Sequence, residues 1–176
     1  MATYKEQLGK LFKEVREDFG LQETDKEAFI EWAYERHTRL RRRDKEWLER
    51  KETNSSKKYL PSCQDYFRAV YEAIRTCAGI DYYTGKKLNW GITLPAEKTQ
   101  QANTKKTETE DTKTRQERVT FDHINGRELQ NLKFVLCSGK TNDAKNDLTQ
   151  TEFLKLCQAV VDFSKAKESS SGSSGQ

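Results

Sequence analysis

The stretch Val119-Thr-Phe-Asp-His-Ile-Asn-Gly126, followed by Asn131-Leu-Lys-Phe-Val-Leu-Cys137 and Thr141-Asn-Asp-Ala-Lys-Asn-Asp-Leu-Thr149, decides how this chain is read. Its first run is β-rich and ends in Asp122-His123, and Asn125-Gly126 just beyond is a strong turn signal. Leu132 to Leu136 is a second β-rich run that starts just after Asn131. The polar segment after it is helix-compatible and carries Asn142, Lys145 and Asn146. Strand, loop, strand and helix are enough scaffold to converge an acid, a base and an amide on one point.

Upstream, Ile80 to Trp90 has β-type residues around a Thr84-Gly85 turn. Ser62 to Asp65 predicts the cap of a helix whose Tyr66, Phe67, Val70, Tyr71 and Ile74 form an apolar stripe, with Gly79 as its stop. At the N-terminal end, Tyr4, Leu8, Leu11, Phe12, Val15 and Phe19 share one face of a helix ending near Gly20. Thr24 with Glu27 reads as the capping box of a second, longer helix with Phe29, Ile30, Trp32, Ala33 and Leu40 on its apolar positions. The two predict a hairpin with one buried face and one basic end.

That basic end, Arg36-His-Thr-Arg-Leu-Arg-Arg-Arg43, admits two readings. It is a solvated face in which Asp44, Glu46 and Glu49 pair with the arginines. Alternatively it clamps phosphates, which the planar, bidentate guanidinium suits. His37 has no second ligand at metal spacing and reads as ordinary surface or core. Downstream of the deciding stretch, Thr149 with Glu152 is another capping box. It opens a last amphipathic helix carrying Phe153, Leu154, Leu156, Ala159, Val160 and Phe163.

These patterns divide the chain into a helical N-terminal region at 1–60, a second unit at 61–166, and a disordered Ser/Gly tail at 167–176. Thr53 to Pro61 is a polar linker. Residues 95–117 contain almost nothing apolar and read as a mobile insertion, because such a segment cannot bury enough surface to offset its chain entropy.

Composition bounds the rest. Hydrophobic and charged residues each make up 34% of the 176 residues, and the mean hydropathy is -1.02. Both are polar for a compact globule, so part of the chain is expected to be unpacked or packed only on a partner. A net charge of +4 and a pI near 8.8 permit a polyanionic partner without demanding one. Cys63, Cys77, Cys137 and Cys157 stand singly with no C-x-x-C pair, so no structural zinc is expected, only reduced buried thiols in an intracellular protein. Met1 to Lys13 lacks the apolar core of a signal peptide, and no run is long enough to cross a bilayer. The expected location is cytoplasmic, with no membrane partner.

Taken in order, Tyr83-Thr-Gly-Lys-Lys-Leu88, Asp122-His123, Asn131 and Asn142-Asp-Ala-Lys145 resemble the HNH (ββα-metal, or His-Me finger) nucleases. The resemblance covers Gly79 to Thr149, with the insertion inside it. It implies an α+β fold, a mostly helical chain carrying a ββα-metal nuclease core. It also implies a metal-dependent DNA endonuclease of phage, mobile-element or restriction type. Phosphodiester hydrolysis needs an activated water, a cation against the developing charge, and help for the leaving oxygen. The implied general base is His123, and the implied ligands of Mg²⁺ or Mn²⁺ are Asp122 and Asn142, whose hard oxygens suit such ions. The Asn131 side chain is expected to support the loop by bonding loop backbone.

The step from Asn131 to Asn142 is slightly longer than in the commonest form of the motif. Asn146, one helical turn on, is therefore a rival ligand, whereas Asp143 and Asp147 fall on other faces. Lys145, with Arg41, Arg42 and Arg43, is the expected phosphate contact. Neighbours on a strand face opposite ways, so Asp122 and His123 meet one phosphate only if the strand ends at them, as the turn after them predicts. RNA stays open as a substrate and a homodimer as the assembly. The competing reading is a non-catalytic nucleic-acid-binding or adaptor protein with an HNH-like structural core.

Overall fold

Residues 2–50, 59–94 and 112–171 are described in the structure, a computed structural model, and they form a mostly helical α+β chain with one two-stranded sheet. In order these elements are α1 (Tyr4–Phe19), α2 (Lys26–Arg50), α3 (Cys63–Arg75), a short α4 (Trp90–Thr93), α5 (Thr112–Glu117), β1 (Val119–His123), β2 (Phe134–Ser138), α6 (Gly139–Lys145) and α7 (Gln150–Ser171).

The apolar stripes become helix faces because residues three and four apart lie on one side. α1 buries Leu8, Leu11, Phe12, Val15 and Phe19, and Gly20 closes it at φ 67°. α3 starts at a Ser62–Asp65 capping box and buries Tyr66, Phe67, Val70, Ala73 and Ile74. Two expected boundaries differ. The Thr24–Glu27 box does not form: a single 3₁₀ turn at Glu23–Asp25 precedes α2, and the Asp25 carboxylate accepts the Gln22 N–H at 2.8 Å. α3 ends at Arg75, ahead of Gly79. Gly79 is needed for another reason: at φ 71° a Cβ there would sit 2.3 Å from the Asp18 carbonyl oxygen, at the end of α1.

Side chains from both sides of residue 60 share one hydrophobic core. Phe19 stacks on Trp90 at 4.4 Å, Trp32 on Phe121 at 5.4 Å, and Tyr66 lies 6.0 Å from Phe134. All belong to one buried cluster running from Leu8 to Leu136. The expected division near residue 60 is thus not a boundary between cores. The low apolar content still closes this core because the apolar residues are concentrated on stripes.

The strands pair antiparallel with His123 opposite Phe134, Phe121 opposite Leu136 and Asp122 opposite Val135. Alternation puts Val119, Phe121, His123, Phe134 and Leu136 on the face toward the helical core, and Asp122 on the other. The turn from Asp81 to Gly85 is clipped to the end of β2 through one carboxylate. Asp81 accepts N–H bonds from Tyr83 and Thr84 on one oxygen, and from the Ser138 N–H and the Thr141 hydroxyl on the other, at 2.8 to 3.1 Å. Burial raises the Asp81 pKa, but these donors outweigh it and hold it below the ordinary carboxylate range. α6 is thereby fixed to the sheet.

Three further expectations change. Residues 112–117, the end of the expected insertion, form α5, and its remainder at 95–111 lies outside the described residues, as does most of the linker at 51–58. α7 forms from the expected Thr149–Glu152 box, but it continues helical to Ser171, through the start of the expected tail. Beyond Phe153, which packs against Tyr83, the described residues leave its apolar face uncovered, with Val160 58% and Phe163 72% exposed. Of the four free cysteines only Cys137 is buried, while Cys63 and Cys157 are exposed. Among the described residues no helix is long and apolar enough to cross a membrane.

Candidate active site

His123 closes β1 on the core face, and its ring is fixed from two sides. Nε2 lies 2.9 Å from Oδ2 of Asp44 on α2, and the Phe134 ring packs edge to face with the imidazole, their centres 4.7 Å apart. Asp44 is fully buried, and the Tyr66 hydroxyl from α3 donates to the same oxygen at 2.7 Å. Burial pushes the Asp44 carboxyl up. The hydrogen bond and charge of His123, then the Tyr66 hydrogen bond, reverse this and leave its pKa below the ordinary value. The expectation that Asp44 pairs with arginines in solvent is therefore corrected. Its position carried the signal: Ala33, His37, Leu40 and Asp44 follow at four, three and four residues, so the carboxylate stands on the buried stripe of α2.

Asp122 faces the other way. Its Oδ2 accepts from the Tyr83 hydroxyl at 2.6 Å and from Lys145 Nζ at 3.0 Å. Lys145 also donates to the His123 carbonyl at 2.9 Å and is fully buried. Lys145 is thus no solvent-facing phosphate contact; it neutralises Asp122 and ties α6 to the end of β1. Burial and the Asp122 carboxylate together raise the Tyr83 pKa, so the phenol stays protonated as a donor.

Both β1 side chains nonetheless reach one polar cleft of about 230 Å³, because it lies at the end of the strand where the two faces meet. The pairing still includes His123, so the strand ends after the pair and not before it. Asn142 from α6 and Arg43 from α2 line the same cleft. Asn146 lines it too, but as the cap beyond α6, at φ 51° with its N–H on the Asn142 carbonyl at 2.8 Å. It is therefore not one turn along the same helix. Asp143 and Asp147, expected on other faces, are also on the wall. Asn131 stands elsewhere: its side chain donates to Glu128 at 3.0 Å instead of bonding loop backbone, and it lines a different cavity.

The arginine triplet divides as helix geometry requires, since consecutive residues point about 100° apart. Arg41 Nε donates to the Pro61 carbonyl at 3.1 Å, Arg42 pairs with Glu46 at 3.7 Å in solvent, and only Arg43 enters the cleft. Arg36, Arg39, Arg42 and Arg43 line a second depression against Thr120 and Phe121. Burial first, and then repulsion from Arg39, Arg118 and Arg43 against the pull of Glu35, lowers the Arg36 pKa. Arg127, missed in the sequence, also lines the cleft, held 5.4 Å over the Trp47 ring and 3.2 Å from Asp147. A lone arginine in a loop carries no pattern that would have revealed it.

The chain matches no family model, no curated protein and no solved structure. Among the described residues no group of three or more His, Cys, Asp or Glu is gathered to hold a metal ion. The oxygen donors on the cleft wall are one buried carboxylate, Asp122, and amides and carboxylates nearer solvent, Asn142, Asn146, Asp143 and Asp147. Such a set suits a hard, largely hydrated divalent ion and offers nothing to a soft one.

Proposed function

We propose that this chain is an HNH-type endonuclease that hydrolyses phosphodiester bonds in DNA, built on a ββα-metal core at β1, β2 and α6. One observation carries the reading: Asp122, His123, Asn142 and Arg43, from three elements, line a single polar cleft. In this reading His123 takes the proton of the attacking water as water oxygen bonds to phosphorus. The bond from phosphorus to the 3′ oxygen breaks and that oxyanion takes a proton from solvent water, leaving a 5′-phosphate and a 3′-hydroxyl. Asp122 and Asn142 would hold Mg²⁺ or Mn²⁺, which when bound supplies positive charge against the developing anion. Arg43 and Arg127 supply fixed charge on the phosphate side. DNA is the proposed partner and the cytoplasm the proposed location; RNA and a homodimer remain open within the reading.

A second reading rests on the Lys145 ammonium, 3.0 Å from Asp122, which balances that carboxylate without any metal ion. A segment so balanced also serves a non-catalytic nucleic-acid-binding or adaptor protein. Plasmid cleavage with Mg²⁺, Mn²⁺ or EDTA separates the two. The expected result is cutting with metal and none with EDTA. His123→Ala should lower the rate by about 10²–10⁴-fold with DNA affinity unchanged. A folded wild type that cuts with neither metal selects the second reading.

A further inference from the structure

We infer that Asp44 is a positioning residue of this centre: it holds the His123 imidazole in the Nε2–H tautomer and leaves Nδ1 to accept the proton of the attacking water. The inference rests on the endonuclease reading. Its basis is the contact between two elements far apart in sequence, Asp44 on α2 and His123 at the end of β1, at 2.9 Å. A carboxylate can only accept, so the hydrogen in that contact belongs to Nε2, and a neutral imidazole then has its lone pair on Nδ1.

The surroundings leave the ring little choice. Tyr66 donates to the same Asp44 oxygen at 2.7 Å, and Phe134 stands across the ring at 64°. Tyr66 is itself fully buried in the core. The carboxylate is thus fixed by one helix and oriented by a second before it meets the imidazole. Packing alone does not account for it. The position continues the apolar stripe of α2, where a hydrophobic side chain would fill the space without the desolvation cost of a charge. The Oδ1 atom of Asp44 is buried and has no hydrogen-bond partner among the described residues, a further cost of keeping a carboxylate at this position. His123 meanwhile lines the cleft. A buried carboxylate behind an imidazole that faces a reaction cleft is the arrangement that fixes a base in one tautomer.

The test uses the full chain. Imidazole ¹⁵N spectra should show neutral His123 with Nε2 protonated and Nδ1 bare. With two histidines in the sequence, His123→Ala assigns the signals. Asp44→Asn should blur that preference and lower kcat by about 10- to 100-fold, with KM and DNA affinity unchanged. Tyr66→Phe, which leaves the Asp44–His123 contact in place, should keep the tautomer. A wild-type spectrum showing Nδ1–H, or averaged ring nitrogens, overturns the inference. So does a folded Asp44→Asn with unchanged tautomer and kcat. If Asp44→Asn does not fold, the wild-type spectrum decides. If the wild type cuts no DNA, the endonuclease reading and the role of Nδ1 as base fall together, while the spectrum still decides whether Asp44 sets the tautomer.

Discussion

Lys145 is the residue whose role changes most between sequence and structure. Its ammonium is fully buried between the Asp122 carboxylate and the His123 carbonyl. Removing one member of such a pair strands the other charge away from water. Lys145→Ala should therefore cost about 3–5 kcal/mol in urea unfolding. Unchanged stability with weakened DNA binding would return Lys145 to the phosphate. Asn142 and Asn146 pose the second question at this scale, because both line the cleft. If Asn142 holds the ion, Asn142→Ala should lose cleavage that higher Mn²⁺ partly restores. Asn146→Gly, which keeps the positive φ and removes only the amide, should stay near wild type. The reverse pattern in the same cleavage assay makes Asn146 the ligand, and two silent variants count against the metal site.

At the scale of elements, α2 does several jobs with one helix. Its apolar stripe joins the core, and Asp44 on that stripe reaches His123. Arg36, Arg39 and Arg43 follow at three- and four-residue steps along the depression that Arg42 also lines, with Arg39 paired to Glu35 and Arg43 reaching the cleft. The two expected contacts beside Arg43, Arg41 and Arg42, are turned to Pro61 and to Glu46. Binding measured against salt should separate the sets. Replacing Arg36, Arg39 and Arg43 with Ala should flatten the slope by about one unit per lost phosphate contact, whatever the DNA sequence. Arg41→Ala with Arg42→Ala should leave it unchanged. A slope that responds only to the latter pair would restore the contiguous triplet.

On the scale of the molecule, the helices before residue 60 and the sheet after it stand or fall together. Phe12, Phe29, Trp32 and Leu40 from α1 and α2 share one cluster with Tyr66, Trp90, Phe121 and Phe134. A chain starting at Tyr59 would expose that face of the sheet and lose Asp44 as well. It should show no cooperative thermal transition by circular dichroism, although it retains every residue from Gly79 to Thr149. A sharp melt would mean that the second unit folds alone, with the helices as an appendage.

Local chemistry made much of this protein legible in its sequence. The stripes of α1 and α3, the Ser62 and Thr149 caps, and the strand ending at Asp122-His123 are written within a few residues, and short-range geometry suffices to read them. Tertiary structure alone decided the partners of charged groups. Periodicity puts Asp44 on the buried stripe of α2, but its partner is decided only when the core brings β1 against α2, 79 residues away. Lys145 could face solvent until α6 folds over the end of the strand. The apolar face of α7 shows the converse, a helix whose periodicity is legible in the sequence while most of that face stays exposed. Periodicity tells which side chains share a face; what that face meets depends on contacts between distant segments, and these decide the charge state and role of each polar group.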